Sequence, residues 1–329
     1  MSFLTFLLGR LGKAVGVTLG VVVLNFLLIR LAPGDPAEIM AGEAASSDPT
    51  YVAQLRRQFG LDEPLPWQLW LYLKGVVQFD FGYSYRNRLP VLDLIAERLP
   101  ATLLLMGLAF VFSLAVGALL GALAARSRYT NRHRWIDSAL MSVSLLMYAT
   151  PLFWLSLLMI LLFSVSLDWL PAFGMESVGA HLAGWDRVRD VAAHLVLPVT
   201  SLGCFFMAVY ARLTRASMLE VIGMDFVRTA RAKGVPAGQV IRRHVMRNAM
   251  LPVVTMAGIQ LGQMAGGAVL IETVFGWPGI GRLMFDALLQ RDYQLLLGVF
   301  LVTSAMVVLF NLLTDLMLRV VDPRIEPRR

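Results

Sequence analysis

The chain is 329 residues long, 57% hydrophobic and only 16% charged, with a mean hydropathy of +0.67, more apolar side chain than a soluble core of this length hides. A disordered chain would be poorer in Leu, Val and Phe, so that class is excluded as well. The formal charge of +7 would suit a basic nucleic-acid binder, but the cations lie between apolar runs rather than on one patch, and no nucleic-acid partner is expected.

A bilayer core about 30 Å thick asks for roughly 20 apolar residues per helical span. In chain order, the first such run is Ala14–Ile29, preceded by Arg10 and Lys13. No small-x-small cleavage site follows it, so it reads as a retained helix rather than a removed signal. The segment Arg30–Pro100 comes next, too long for a structureless connection, and it is expected to fold. Within it Thr50–Phe59 reads as helix, and Pro64–Val77, with Trp67, Leu69, Trp70, Leu71 and Tyr72, as an amphipathic or interfacial stretch. Two roles stay open for this segment: a packed cap over the outer helix ends, or a docking surface for an extracytoplasmic partner.

Five further runs follow at Ala101–Ala125, Ile136–Ser166, Val191–Ala211, Met250–Ile271 and Tyr293–Leu318. Lipid cannot hydrogen-bond a bare backbone, so each must be a helix, and runs this long exclude barrel strands. Between the fourth and fifth lies Arg212–Ala249, which reads as short helices over Ala216–Gly223, Met224–Lys233 and Ala237–Asn248. Gly234 after Arg231-Ala232-Lys233 fits a helix C-terminus, with cations at the negative end of the dipole and a residue free to turn left-handed. Pro151 and Pro198 fall inside the third and fourth runs, where they permit kinks or static bends.

Six spans put both termini on one side. The segments on that side, Met1–Lys13, Arg126–Trp135, Arg212–Ala249 and Arg319–Arg329, hold 18 Lys and Arg in 72 positions. The opposite segments, Arg30–Pro100, Leu167–Asp190 and Glu272–Asp292, hold 11 in 116 positions and 16 of the 22 acids. Positive charge stays inside, so the termini are expected to be cytoplasmic and the excess cations are topology and headgroup anchors.

Chemistry of the catalytic kind finds no foothold. Cys204 is the one cysteine, and His133, His181, His194 and His244 lie in four separate regions, so no metal-ligand spacing, cofactor cradle or nucleophile–base pair can be named. His194 reads as a hydrogen-bonded packing residue. No G-x-x-x-x-G-K-[ST] nest for nucleotide phosphates occurs, so any ATP must be hydrolysed by another chain. Intramembrane acids are limited to Asp137 and Asp315, both near cytoplasmic ends, with Arg319 one turn beyond Asp315. A proton-coupled carrier would need acids nearer mid-bilayer. The fifth run has the most transport-like face: Gln260 and Gln263 are polar, while Gly258, Gly262 and Gly266 recur every four residues. That stripe suits either a pathway lining or close packing on a neighbouring helix.

The stretch Asp225-Phe226-Val227-Arg228-Thr229-Ala230-Arg231-Ala232-Lys233-Gly234-Val235-Pro236, ending at Asn248-Ala249-Met250-Leu251-Pro252, resembles the cytoplasmic EAA loop of ABC-importer permeases. Ala32-Pro33-Gly34-Asp35-Pro36, Phe59-Gly60-Leu61-Asp62, Leu99-Pro100-Ala101-Thr102, Glu272-Thr273-Val274-Phe275-Gly276-Trp277-Pro278-Gly279-Ile280-Gly281 and Asp322-Pro323-Arg324 are similar to the first permease subunit of dipeptide and oligopeptide importers. Aligned on Gly234, the generic loop has Glu and Ala where this chain has Arg228 and Thr229; the helix–glycine–helix geometry is retained.

That resemblance implies an all-α, six-helix type I ABC importer (MetI-like) permease. Its divisions would be an N-terminal transmembrane helix (1–31), an extracytoplasmic segment (32–100), a permease core (101–318) with the coupling loop at 212–249, and a cytoplasmic tail (319–329). It also implies a place in the bacterial cytoplasmic membrane and, as partners, a second homologous permease, two ATP-binding subunits, an extracytoplasmic solute-binding protein and membrane lipid. The residues expected to seat in the ATPase are Arg228, Thr229, Ala230, Arg231, Ala232, Lys233 and Gly234. Peptides are the first cargo it implies, nickel chelates or glutathione-like thiols the alternative. Rival readings from the residues alone are an ATPase-independent channel or carrier, and an intramembrane enzyme.

Overall fold

The computed structural model describes residues 3–31, 37, 49–58, 60–84, 86–130 and 133–321. In chain order these form α1 (Phe3–Leu31), α2 (Pro49–Gln58), α3 (Leu65–Val77), a short antiparallel hairpin of β1 (Tyr83–Ser84) and β2 (Leu89–Pro90), α4 (Val91–Thr130) and α5 (Arg134–Ala149). There follow α6 (Leu152–Ser166), α7 (Gly184–Ile222), α8 (Asp225–Ala232), α9 (Ala237–Val274), α10 (Ile280–Leu289) and α11 (Tyr293–Val321). The all-α expectation holds; the helix expected over Thr50–Phe59 is α2, and the stretch Pro64–Val77, read as amphipathic or interfacial, forms α3. Ala32–Pro36, Phe59 and Asp322–Arg324, quoted above, and the side chains of Asp315 and Arg319 lie outside the described residues.

Five of these helices are long and apolar enough to cross a bilayer: Gly9–Leu28 within α1, then α4, α7, α9 and Tyr293–Thr314 within α11. The sixth candidate is the pair α5–α6, bent by 106°. The third run is therefore not one straight helix. Pro151 cannot donate an N–H and forces its predecessor out of the helical region, and Thr150 is accordingly extended at φ −77°, ψ 127°. Its hydroxyl turns back to donate to the Leu146 carbonyl at 2.7 Å. Pro198, in contrast, sits within an unbroken α7 of 39 residues. At 1.5 Å per residue that rod is about 58 Å long, so it runs well beyond the apolar stretch Val191–Ala211 at both ends and absorbs the short helix expected at Ala216–Gly223.

Two compact units are present: Met1–Thr102 with Pro278–Leu309, and Leu103–Trp277 with Phe310–Arg329. In the first, buried polar contacts join stretches about two hundred residues apart. Ser84 donates its hydroxyl to Asp292 Oδ2 at 2.5 Å, and Asp292 Oδ1 accepts the Leu295 N–H at 3.1 Å, satisfying an orphan donor in the first turn of α11. The Thr102 hydroxyl accepts the Ile280 N–H at 2.8 Å, doing the same for α10. Around these, Phe81, Val91, Leu94, Ile95, Leu295 and Val299 are buried, and Gly298 lies so close to Val91 that a Cβ there would overlap it.

In the second unit α7 is the central element. Gly117 and Gly121 of α4 lie against its backbone: a Cβ at Gly117 would stand 2.7 Å from the Met207 carbonyl oxygen, and one at Gly121 would overlap that of Ala211. This is the small-x-x-x-small approach that lets two helices touch in lipid, where no hydrophobic effect drives them together. On another side α5 is fastened to α7 by Asp137, nearly fully buried, which accepts Arg215 Nε at 2.5 Å and Arg215 Nη2 at 2.8 Å. Further along the same pair of helices, the Arg212 guanidinium stands 4.7 Å over the Tyr148 ring, which itself stacks on Phe205 at 5.1 Å. Large apolar side chains point outward along α1 and α4, among them Val15, Val17, Leu24, Val111 and Leu119, the reverse of a water-soluble surface and what a lipid solvent requires.

Candidate functional site

After α7 ends at Ile222, the chain passes Gly223 and forms α8. At 3.6 residues per turn, Val227 and Ala230 fall on one face, and both are buried, packed with Ala125, Met218, Val221, Val240, Val245 and Ala249. The opposite face, centred on Asp225, Thr229 and Ala232, is open, flanked by Arg228 on one side and by Phe226 and Lys233 on the other; all six are exposed. The amphipathicity is local: one side nails the helix to the lower end of α7 and the start of α9, and the other is left to a neighbour.

The end of α8 is a complete Schellman motif. The Gly234 N–H donates to the Arg231 carbonyl at 2.8 Å, and the Val235 N–H to that of Ala230 at 3.3 Å. This geometry puts Gly234 at φ +78°, and a Cβ built there would meet nothing within 4 Å. The glycine is thus required by the backbone turn, not by crowding within this chain.

The seven residues expected at the ATPase contact therefore divide. Arg228, Thr229, Ala232, Lys233 and Gly234 are exposed; Ala230 is an anchor. Arg231 is exposed but committed, its guanidinium 4.4 Å over the Tyr129 ring. Among the described residues Arg228 pairs with Asp225 at 3.6 Å, both heavily exposed, a contact that contributes little and leaves the guanidinium available. Sequence reasoning missed Phe226, whose ring is 41% exposed beside Lys233; a large apolar side chain on a cationic, solvent-facing helix was the available signal. The helix expected over Ala237–Asn248 is the beginning of α9, carried into the fifth span through a π-helical turn at Val240–Val245.

Within α9 the candidate pathway residues also separate. A Cβ at Gly258 would collide with Thr314 of α11, so this glycine is a packing contact. Gln260 and Gly262 are buried within the unit. Gln263 and Gly266 are exposed, on a stripe with Ile259 and Leu270, and a Cβ at Gly266 would meet nothing. The open face of α9 is mostly apolar, with Gln263 as its polar member.

Between the segment that joins α6 to α7 and the first turns of α7, a cavity of about 380 Å³ is lined by Glu176, Ser177, Gly179, His181, Leu182, Arg187 and Asp190. Arg187 donates to Glu176 at 2.6 Å, and Ser177 to Asp190 through both its hydroxyl, at 2.6 Å, and its N–H, at 2.7 Å. His194 is buried and its Nδ1–H donates to the Asp190 carbonyl at 2.8 Å, the packing role expected of it. Among the described residues no group of three or more His, Cys, Asp or Glu is placed to hold a metal ion.

Comparison with known proteins bears on this arrangement. The family model described as "Binding-protein-dependent transport system inner membrane component" matches residues 117–327, and its N-terminal companion matches residues 3–106. The chain is 41% identical over 344 residues to the dipeptide transport system permease protein DppB of Escherichia coli strain K12, covering 99% of this chain and 100% of the relative. It is 37% identical to the DppB of Alkalihalophilus pseudofirmus, covering 98% and 99%. With a putative peptide transport system permease protein of Brucella abortus it shares 40%, covering 97% and 98%. Among solved structures it is similar to the inward-facing MetNI methionine ABC transporter, with a TM-score of 0.56 and 18% identity over 70% of this chain and 96% of that one, a likeness of fold.

Proposed function

Because the chain belongs to the family of binding-protein-dependent transport system inner membrane components, we propose that it is a permease subunit of an ATP-driven peptide importer, forming half of a translocation pathway for di- or oligopeptides. Relatives named as dipeptide permeases, matched over nearly the whole of both chains, support the cargo class. The observation that carries the mechanism is α8: a short helix bolted to the end of a long span, with an open face and a left-handed glycine at its end.

In this reading the open face, with Phe226, Arg228, Thr229 and Lys233, seats in a groove on an ATP-binding subunit. Closure of two such subunits on ATP displaces α8, and because α8 is packed on the end of α7, the displacement passes into the membrane through that rod. The exposed stripe of α9 with Gln263 and Gly266 faces the pathway or the second, homologous permease. An extracytoplasmic binding protein delivers the peptide, and it shifts the equilibrium between inward and outward access only by preferring one of them. The protein resides in the bacterial cytoplasmic membrane with both termini inside.

The test is reconstitution in liposomes with the second permease, the ATPases and the binding protein, reading uptake of a labelled dipeptide. A cysteine placed at Thr229 in a Cys204→Ser background should crosslink to an ATPase subunit, and uptake should need ATP and every component. Uptake by this chain alone, or a Thr229 cysteine that reacts only from outside, would overturn the assignment.

A further inference from the structure

We propose that α3 lies in the plane of the outer leaflet as an interfacial anchor, its Trp67, Trp70, Leu71 and Val77 face immersed at the boundary between phospholipid headgroups and acyl chains.

The two faces of this helix differ. Gln68 and Tyr72, one turn apart, point inward. Gln68 is buried, its Nε2 donating to the carbonyls of Leu61 at 3.0 Å and Glu63 at 2.6 Å. Tyr72 stacks on Phe26 of α1, with centroids 6.0 Å apart and planes inclined by 25°, and burial pushes its phenol up to about 12. The opposite face follows the i, i+3, i+4, i+7 rule from Trp67 through Trp70, Leu71 and Lys74 to Val77. Its apolar members are 42–79% exposed, and Phe79, just past the helix, is 71% exposed.

Depth comes from α1. Its apolar stretch, Gly9–Leu28, is 20 residues long, about 30 Å and so one hydrocarbon thickness. Phe26 lies two residues from its end, so the stacked Tyr72 holds α3 at the level where the hydrocarbon gives way to headgroups. Only 11% of that stretch is buried within the chain, so α1 keeps most of its apolar surface open, and the exposed face of α3 continues that surface.

Composition agrees with that level. Indole rings favour the interface, where the ring is apolar and the N–H still finds water or an ester carbonyl. Lys74, alone among the apolar residues of the stripe, has a stem long enough to cover apolar surface while its ammonium reaches a phosphate. Two exposed tryptophans, a leucine and a valine on one face would be costly in water without a cover.

The experiment uses the full chain in nanodiscs of phosphatidylethanolamine and phosphatidylglycerol. In a Cys204→Ser background, nitroxide labels are placed singly at Trp70→Cys, at Val77→Cys on the same face, and at Arg88→Cys in the exposed hairpin turn. Collisions with oxygen, which concentrates in lipid, and with a water-soluble nickel chelate are read for each. Labels at 70 and 77 should show an oxygen-to-nickel ratio several-fold above that at 88. Should either label prove unstable, brominated lipids should quench the intrinsic fluorescence of the parent chain more strongly than that of Trp67→Phe/Trp70→Phe. Ratios at 70 and 77 equal to that at 88, or equal quenching of parent and double variant, would mean that the face stands in water to receive a protein, and would overturn the proposal. Neither readout depends on transport, so this inference and the transport reading fail separately.

Discussion

Substitution of Gly234 isolates what the turn at the end of α8 contributes to the proposed coupling. The residue sits at φ +78° with no atom within 4 Å of a built Cβ, so Gly234→Ala or Gly234→Val introduces no clash inside this chain. The whole intrinsic cost is that of holding an L-residue in the left-handed region, about 1–2 kcal/mol, higher for the β-branched valine and lower for asparagine. A difference of that size is a factor of roughly 5–30 in the population of the correct turn. It cannot dissolve α8, because Val227 and Ala230 remain buried. The expected order of damage is Asn, then Ala, then Val, in the ratio of dipeptide uptake to ATP hydrolysis by the reconstituted complex, with assembly on size-exclusion chromatography unchanged. Full coupling in a well-expressed Gly234→Val complex would refute the reasoning, since it would mean that the turn does not have to be held.

Other expectations test the packing among the long helices. Gly121→Val places side-chain atoms into the α7 backbone near Ala211 and Thr214, where no flexible side-chain end can yield, and should cost about 1–3 kcal/mol or more, seen as a lowered apparent Tm or loss of the monodisperse peak; a parent-like Tm would show that α4 and α7 do not approach so closely. Asp137→Leu alone leaves the half-buried Arg215 without its carboxylate and should destabilise by about 1–3 kcal/mol, whereas Asp137→Leu with Arg215→Met should recover most of it; equal loss in the single and double variants would mean that the pair is not the fastening. Gly258→Ala should lower stability and Thr314→Ala should restore part of it, because the collision is with that side chain; independent effects would remove Gly258 from the α9–α11 contact.

What the amino-acid pattern disclosed and what it hid follow from the range of the forces involved. The spans and the turn at Gly234 rest on local requirements, namely an apolar run long enough for lipid and a backbone angle that only glycine meets cheaply, and these are written in neighbouring residues. The break at Pro151 was legible as a proline but not as a 106° bend, since Pro198 has the same chemistry and interrupts nothing. Asp137 stood out as an acid in an apolar setting, yet its partner Arg215 is 78 residues away, and no spacing rule reaches that far. The same holds for Thr102 and Ile280, or Ser84 and Asp292: motifs recognisable singly meet only in the fold. Gln260 and Gln263 looked alike in a linear reading, and three positions of helical rotation put one inside and one outside.

The bend between α5 and α6 has its own implication for where the subunit's neighbours must be. A chain that leaves the helical path at Thr150 interrupts the backbone ladder that an oily medium demands, because Pro151 has no N–H to give, while the Thr150 N–H and hydroxyl both turn back to the Leu146 carbonyl and the ladder resumes with Leu155 N–H on Pro151. Hydrocarbon penalises backbone left unpaired at such a break, so a corner of this kind is best suited to a place against another polypeptide or a wet lumen. Tyr148, Phe153 and Trp154, all 41–50% exposed around it, are then the residues at which an occupant of that space, whether a companion subunit or passing cargo, makes its closest acquaintance with this one.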